Sequence, residues 1–98
     1  MTGTTRSSDG LEPRRRRALF RSWHRGIREM DLILGAFADQ FVGGLTVAEL
    51  EHYEALMDVP DADLLNWLTG QAQVPQHHDT PLFRKILAVS PAISFQQP

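Results

Sequence analysis

The sequence predicts an all-α protein, a compact bundle of five short helices. Along most of the 98 residues, apolar side chains recur at intervals of three and four, which is the spacing of one face of an α-helix. No stretch alternates apolar and polar residues in the way that a half-buried strand does. Prolines, glycines and hydroxyl-bearing residues separate the apolar segments, where they are expected to begin and end helices.

Length and composition indicate one soluble globular domain with a small core. Of the 98 residues, 42% are hydrophobic and 22% are charged, which is ordinary for such domains. There is no cysteine, so disulfides, thiolate nucleophiles and cysteine-bound metal sites are excluded. No apolar run approaches the ~18 residues of a transmembrane helix, and we expect no membrane insertion.

The chain divides into three parts by composition. Residues 1–12 are rich in threonine, serine and glycine, and we expect them to form a disordered leader. Residues 13–90 carry the helical patterns, and residues 91–98 form a tail. The leader lacks the apolar segment of a secretory signal, and its acids Asp9 and Glu12 are unusual in a transit peptide.

The first helix is predicted to begin at Pro13 and to end before Gly26. Proline suits the first helical position, and glycine tolerates the positive φ that often follows a helix. The apolar residues of this helix are predicted to share one buried face, and they are Ala18, Leu19, Phe20 and Trp23. The arginines around that face are Arg14, Arg15, Arg16, Arg17 and Arg21.

The second and third helices have the clearest sequence signals. The second is predicted over about residues 27–41 and ends before the Gly43-Gly44 pair. The third begins at Thr46, which forms a capping-box pattern with Glu49, and ends near Met57. The residues predicted to face the core are Met30, Ile33, Leu34, Phe37 and Phe41 in the second helix, and Val47, Leu50, Tyr53 and Met57 in the third.

Two further helices complete the predicted domain. Asp61 is predicted to cap the fourth helix, which ends at Gly70, and residues 71–79 are predicted to form a loop. Thr80-Pro81 begins the fifth helix, and Pro91 is predicted to end it. The apolar residues predicted to face the core are Leu64, Leu65, Trp67, Leu68, Leu82, Phe83, Ile86 and Leu87.

Charge is distributed unevenly along the chain. Residues 1–28 hold eight arginines and two acids, a charge of +6, whereas residues 29–98 hold two bases and ten acids, a charge of -8. A chain of this kind could steer a charged partner, or it could pair its two halves across the fold. The sequence leaves both interpretations open.

The candidate docking edge is the segment between the first two helices, Arg25-Gly26-Ile27-Arg28-Glu29. A glycine without a Cβ lets another surface approach the backbone, while Arg25 and Arg28 offer forked donors and Glu29 an acceptor. On this interpretation we expect Arg25 and Glu29 to lie exposed beside Gly26. The simpler alternative is that Gly26 ends a helix, Glu29 favours the dipole of the next one, and the arginines are only solvated.

The arginine run at residues 14–17 gives an alternative function, a small nucleic-acid-binding regulatory protein. The acidic remainder of the chain disfavours it, and no predicted helix combines a basic face with base-reading side chains. We therefore expect no nucleic acid as partner. Self-association through an exposed aromatic face is a third possibility, although we expect a monomer when the chain is free.

Catalytic and metal-binding patterns are weak. His77, His78 and Asp79 lack the spacing of a metal site, and we expect none. Asp61 and Asp63 could act as a carboxylate pair, but the start of a helix explains both. There is no nucleophile–base pair, phosphate-binding glycine loop or dinucleotide motif, so the sequence predicts a protein that is not an enzyme.

Two segments together resemble the flavinylation factors of succinate dehydrogenase, the SdhE-like assembly proteins of bacteria and mitochondria. Arg25-Gly26-Ile27-Arg28-Glu29-Met30-Asp31 is similar to the RGxxE motif of that family, which is commonly followed by Leu/Met-Asp. Asp61-Ala62-Asp63-Leu64-Leu65-Asn66-Trp67-Leu68 is similar to its D-x-D-L-x-x-W-L region. With the helix start at Thr46 between them, the resemblance covers roughly residues 14–90.

The resemblance implies an assembly chaperone that binds the flavoprotein subunit of succinate dehydrogenase, or of the related fumarate reductase. Such a protein promotes covalent attachment of FAD to a histidine of that subunit, so it would hold no cofactor stably and would meet FAD only through its partner. We expect it in the bacterial cytoplasm, with the mitochondrial matrix as the alternative. The residues that the resemblance assigns to partner binding are Arg25, Gly26 and Glu29, then Arg28 and Asp31, with Arg21, Trp23 and His24 as neighbours on the same edge.

Overall fold

The computed structural model describes residues 10–93, with side chains up to residue 89. In this part of the chain every regular element is helical, which confirms the predicted fold class. The α-helices are α1 (Pro13–Trp23), α2 (Arg28–Phe41), α3 (Val47–Met57), α4 (Asp61–Leu68) and α5 (Pro81–Ile93). Two short 3-10 turns, Val42–Gly44 and Gln76–His78, lie in the connections after α2 and α4. No described helix has the length and apolar character needed to cross a membrane.

Helix α2 is the centre of the bundle, since it packs against both α1 and α5. Its inward face is completely buried, as the 3.6-residue period predicts for a helix covered by neighbours. Helix α3 packs against α1 and α5 and closes the core. The α2 side chains with no exposed surface are Met30, Ile33, Leu34, Phe37 and Ala38.

Helices α1 and α2 meet at a glycine. The indole ring of Trp23 lies directly over Gly35, and a Cβ at position 35 would overlap that ring. The Trp23 Nε1–H also donates to Asp39 Oδ1 at 3.1 Å, so the indole is fixed at both its face and its edge. The absence of a side chain at Gly35 therefore sets how closely the two helices approach.

A buried polar network joins the three central helices. The hydroxyl oxygens of Ser22 and Tyr53 lie 2.5 Å apart, and Ser22 also donates to the Ala18 carbonyl at 2.7 Å. The Tyr53 hydroxyl reaches the Leu34 carbonyl of α2 at 3.3 Å. Burial raises the pKa of Tyr53 well above its ordinary value, which keeps the phenol neutral. These hydroxyls are satisfied inside the core, as buried polar groups must be.

Several local predictions are confirmed. The capping box forms as expected, since the Thr46 N–H donates to Glu49 Oε1 at 2.9 Å and the Glu49 N–H donates to Thr46 Oγ1 at 3.1 Å. Gly26 and Gly70 adopt positive φ values of 99° and 80°, after α1 and α4 respectively. Thr80 caps α5 by accepting the N–H of Phe83 at 3.1 Å.

Two apolar residues predicted to face the core are exposed instead. Phe20 keeps 61% of its surface exposed, because the buried face of α1 runs through Ala18, Leu19 and Ser22 and the next residue after Leu19 is turned about 100° away. Val47 is 58% exposed, since it is the first residue of α3 and no described element covers that end of the helix.

Three predictions at helix ends are wrong. Leu11, which the sequence placed in the leader, is buried against the core, while residues 1–9 lie outside the described range. Asp61 does not cap α4, because it is already the first helical residue and Pro60 holds the cap position. Pro91 does not end α5, which continues for two further residues to Ile93.

Candidate partner-binding site

The joint between α1 and α2 depends on the backbone of Gly26. At a φ of 99°, this residue occupies a conformation that side-chain-bearing residues rarely adopt. Gly26 is exposed, and a Cβ built on it would meet no described atom within 4 Å. The glycine is therefore needed for the turn itself, and it leaves a bare stretch of main chain on the surface.

Arg25 is not the exposed donor that the sequence predicts. Its side chain is only 8% exposed, because the guanidinium is folded onto the connection between α3 and α4. There Nε donates to Asp61 Oδ1 at 2.7 Å, Nη1 to the Met57 carbonyl at 2.6 Å, and Nη2 to the Val59 carbonyl at 2.8 Å. The acceptors lie 32 to 36 residues further along the chain, so local sequence could not reveal them. Arg25 thus fixes the α3–α4 connection against the joint.

Asp31 fixes the same joint from the other side. Its Oδ1 accepts the backbone N–H of Arg25 at 2.8 Å, while its own N–H donates to the Ile27 carbonyl at 3.0 Å. The half-buried carboxylate therefore ties the first turn of α2 to the residue that precedes Gly26. A charged acceptor makes this hydrogen bond stronger than a neutral one would.

Arg28 and Glu29 are the charged residues of the joint that remain available. Both are exposed, and among the described residues neither side chain has a hydrogen-bonding or ionic partner. Glu29 lies in the first turn of α2, where the helix dipole favours a negative charge. The predicted exposure of Glu29 is confirmed, and the pair presents one donor group and one acceptor group beside Gly26.

The three neighbours assigned to this edge have different environments. Trp23 is half-buried, because its indole ring packs on Gly35. Arg21 is exposed, and its Nη2 donates to Asp58 Oδ1 at 2.8 Å and to the Met57 carbonyl at 3.1 Å. An exposed pair of this kind contributes little to stability.

His24 is exposed and is held in one orientation. Its ring stacks on Phe20 with a centroid separation of 3.9 Å and an interplanar angle of 16°. The Nδ1 atom lies 2.7 Å from the Phe20 carbonyl oxygen. Because a carbonyl can only accept, Nδ1 carries a proton, and Nε2 is the ring atom left for an external partner.

A groove of about 340 Å³ runs beside the joint. Phe20 and His24 line one side of it, and the α3–α4 connection lines the other. Sequence reasoning missed Phe20 as a surface residue. The signal was available, because three of the four residues at helical spacing from it, Arg16, Arg17 and His24, are polar.

The basic and acidic parts of the chain pair with each other across the fold. Arg14 holds Glu54 of α3 through two hydrogen bonds of 2.8 and 2.7 Å, and these bonds are the largest cause of the lowered pKa of Glu54. Arg21 and Arg25 pair with acids of the α3–α4 region in the same way. Much of the predicted basic face is therefore neutralised internally, which removes the main support for the nucleic-acid alternative.

The histidines of the connection before α5 do not form a metal site. Among the described residues there is no group of three histidine, aspartate or glutamate side chains placed to hold an ion. His78 is half-buried, and its ring centroid lies 5.4 Å from that of Trp67 and 4.2 Å from that of His77. Burial is the largest cause of its lowered pKa, and the nearby His77 and His52 lower it further.

Fold and surface define a small helical protein whose distinctive feature is the exposed α1–α2 joint at Gly26. The chain belongs to the family described as flavinators of succinate dehydrogenase, whose family model matches residues 16–90. The resemblance carried by the two sequence motifs is thereby confirmed.

Named relatives agree with this family. The chain is 36% identical over 81 residues to the "FAD assembly factor SdhE" of Acetobacter pasteurianus, covering 83% of this chain and 74% of the relative. It is 36% identical over 76 residues to the mitochondrial "Succinate dehydrogenase assembly factor 2" of Dictyostelium discoideum, and 38% identical over 82 residues to that of Scheffersomyces stipitis. The matches cover 78% and 84% of this chain but only 54% and 55% of those two relatives. Comparison with solved structures gives no match.

Proposed function

We propose that this chain is an assembly factor that binds the flavoprotein subunit of succinate dehydrogenase, or of the related fumarate reductase, and promotes covalent attachment of FAD to it. Family membership supports the class of function. The single structural observation that carries the proposal is the exposed Gly26, with Glu29 beside it unpaired among the described residues, on a joint that Arg25 fixes from within the fold.

In this proposal the chemistry takes place on the partner. The flavin and the histidine that accepts it belong to the flavoprotein, and this chain contributes orientation by holding the partner in a reactive arrangement. The chain needs no bound cofactor of its own for that role, and it acts as a monomer that meets FAD only through the flavoprotein.

The residues of the edge divide into two roles. Glu29 and Arg28 offer an acceptor and a donor to the partner, while the exposed backbone at Gly26 allows close approach. Arg25 and Asp31 act as positioning residues, since their polar groups are used within the chain. The remaining assigned neighbours are Arg21 and His24, which line the groove, and Trp23, which sets the packing of α1 on α2.

The compartment follows that of the partner. The relatives include a bacterial protein and mitochondrial ones, and we propose the bacterial cytoplasm for this chain, with the mitochondrial matrix as the alternative.

Replacement of Gly26 tests the proposal, and the chain offers a matched control. Gly70 also has a positive φ, 80°, and a Cβ there would likewise meet no described atom within 4 Å. It lies after α4, at the opposite end of that helix from Asp61. Gly26→Arg and Gly70→Arg therefore impose similar backbone strain, but only the first places a large side chain on the docking edge.

The measurement is co-purification of the flavoprotein subunit with each tagged variant. We expect wild-type chain and Gly70→Arg to retain the flavoprotein and Gly26→Arg to lose it. Circular dichroism of both variants checks that the helices remain. Wild-type retention of the flavoprotein by a folded Gly26→Arg variant would contradict the proposed docking edge.

A further inference from the structure

Phe20 forms an exposed aromatic ridge on α1. Its surface is 61% exposed, more than that of any other large apolar residue in the described part of the chain. Stacking on His24 holds the ring in place, so its side chain has less freedom to lose when a partner covers it. Rigid exposed aromatic residues are typical anchors of protein interfaces.

Depressions lie on both sides of this ridge. One is the groove of about 340 Å³ beside the α1–α2 joint. The other has a volume of about 410 Å³ and combines apolar surface from Pro13 and Phe20 with three cationic side chains and no acid. The cations are Arg16, Arg17 and Arg21. Phe20 and Arg21 line both depressions, and the first depression is also lined by Arg25 of the docking edge.

These three arginines keep donors free for a partner. Arg17 makes no hydrogen bond and no close ion pair with the described residues, although its charge helps to lower the pKa of Glu54. Arg16 uses Nη1 on the Leu11 carbonyl at 3.0 Å, and Arg21 uses Nη2 on Asp58 and on the Met57 carbonyl. Each guanidinium has five N–H groups, so donors remain on both of the partly engaged arginines.

We propose that the surface formed by Arg16, Arg17, Phe20 and Arg21 is a second contact with the flavoprotein subunit, and that it binds an acidic segment with an apolar side chain. The inference rests on the proposed function and adds the chemistry of what the partner presents. Carboxylates match the guanidinium groups of Arg16 and Arg17 and the remaining donors of Arg21, which is already paired with Asp58, and an apolar side chain covers Phe20.

Two observations favour a protein segment over a nucleic acid at this surface. Arg14 and Arg15 would extend the basic row along α1, but both are engaged within the chain. Arg14 binds Glu54, and Arg15 binds Glu12 and the Val42 carbonyl. Only a short cationic cluster is left, too small to follow a phosphate backbone. Phe20 lines the same groove as Arg25, the residue before Gly26, so one bound protein could contact both the joint and Phe20.

The test compares affinities of variants for purified flavoprotein subunit. Phe20→Ser and Arg17→Glu should each weaken binding about tenfold or more, as for interface anchors, and Arg17→Glu should also reduce the dependence of affinity on salt. Val47→Ser and Arg84→Glu are the matched controls, since they replace an exposed apolar residue and an exposed arginine elsewhere. Neither control should change the affinity appreciably.

Photo-cross-linking from p-benzoylphenylalanine at position 20 identifies what covers the ridge. We expect an adduct with an acidic segment of the flavoprotein. An adduct with a second copy of this chain or with nucleic acid would overturn the inference. Wild-type affinity in both Phe20→Ser and Arg17→Glu, combined with loss of binding in Gly26→Arg, would also overturn the inference. That result would leave the proposed function intact. Failure of the wild-type chain to bind would overturn both.

Discussion

Arg25 and Asp61 connect the two segments that carry the resemblance to this family. The Arg25 Nε donates to Asp61 Oδ1 at 2.7 Å, and the side chains are 8% and 21% exposed. One residue belongs to the α1–α2 joint, and the other begins α4. The two motifs, which are separate in sequence, therefore form a single structural unit at the α1–α2 joint, where we propose that the partner docks.

Removal of Arg25 should destabilise the fold strongly. Deleting one partner of a fully buried ion pair typically costs about 3–5 kcal/mol. The Arg25–Asp61 pair is only partly buried, but Arg25→Ala also leaves the Met57 and Val59 carbonyls without their donor. We expect a loss in the free energy of unfolding of about 3 kcal/mol, measured by urea titration. Arg21→Ala is the control, since the exposed pair with Asp58 contributes at most about 1 kcal/mol.

The Arg25→Ala,Asp61→Ala double variant completes this test. Because the two residues contact each other, the double variant should lose clearly less stability than the two single losses combined. Strict additivity would show that the contact does not stabilise the fold.

Gly35→Ala should loosen the packing of α1 on α2. The added methyl would overlap the Trp23 ring, and overpacking of this kind costs about 1–3 kcal/mol. Thermal unfolding and the fluorescence of Trp23 report the change. Gly44→Ala is the matched control, because a Cβ at position 44 meets no described atom within 4 Å. Equal stability of the two variants would contradict the close packing at Gly35.

His78 should make the fold less stable below neutral pH. Its lowered pKa means that the unfolded chain takes up the proton first as the pH falls through the usual value of 6.5. The contribution of neutral His78 to the free energy of unfolding is therefore complete above that pH and is lost as the pH falls below it. The loss ends at the lower pH where the folded state also binds the proton. Urea titrations at pH 7.5 and 5.5 measure the loss.

The histidine variants identify the source of that loss. His78→Gln should show a smaller decrease in stability between the two pH values than the wild-type chain does. His24→Gln is the control, because it removes an exposed imidazole and leaves His78 in place. An unchanged decrease in His78→Gln would refute the assignment.

Glu29→Ala should weaken binding of the flavoprotein without affecting the fold. The carboxylate is exposed and unpaired among the described residues, so its removal leaves no internal group unsatisfied. Loss of one charged contact should reduce affinity roughly tenfold or more, equivalent to at least about 1.4 kcal/mol. Calorimetric titration measures it. Glu51→Ala, which removes an exposed acid from α3, should bind as the wild type does.

The sequence predicted the helices because their start and stop signals are local. The Thr46–Glu49 capping box and the positive φ of Gly26 each depend on a few neighbouring residues, and both are as expected. The burial of Arg25 was missed because its acceptors come from α3 and α4. Phe20 was misplaced although the sequence held the signal, since Arg16, Arg17 and His24 lie at helical spacing from it and mark its side of α1 as polar.

The covalent flavin content of the flavoprotein subunit tests the central claim most directly. Purified flavoprotein, FAD and this chain are combined, and protein-bound flavin is measured by its fluorescence after denaturing electrophoresis. We predict that wild-type chain and Gly70→Arg increase covalent flavin well above the level without the chain, and that Gly26→Arg does not. Equal covalent flavin with Gly26→Arg and with the wild-type chain would contradict the account.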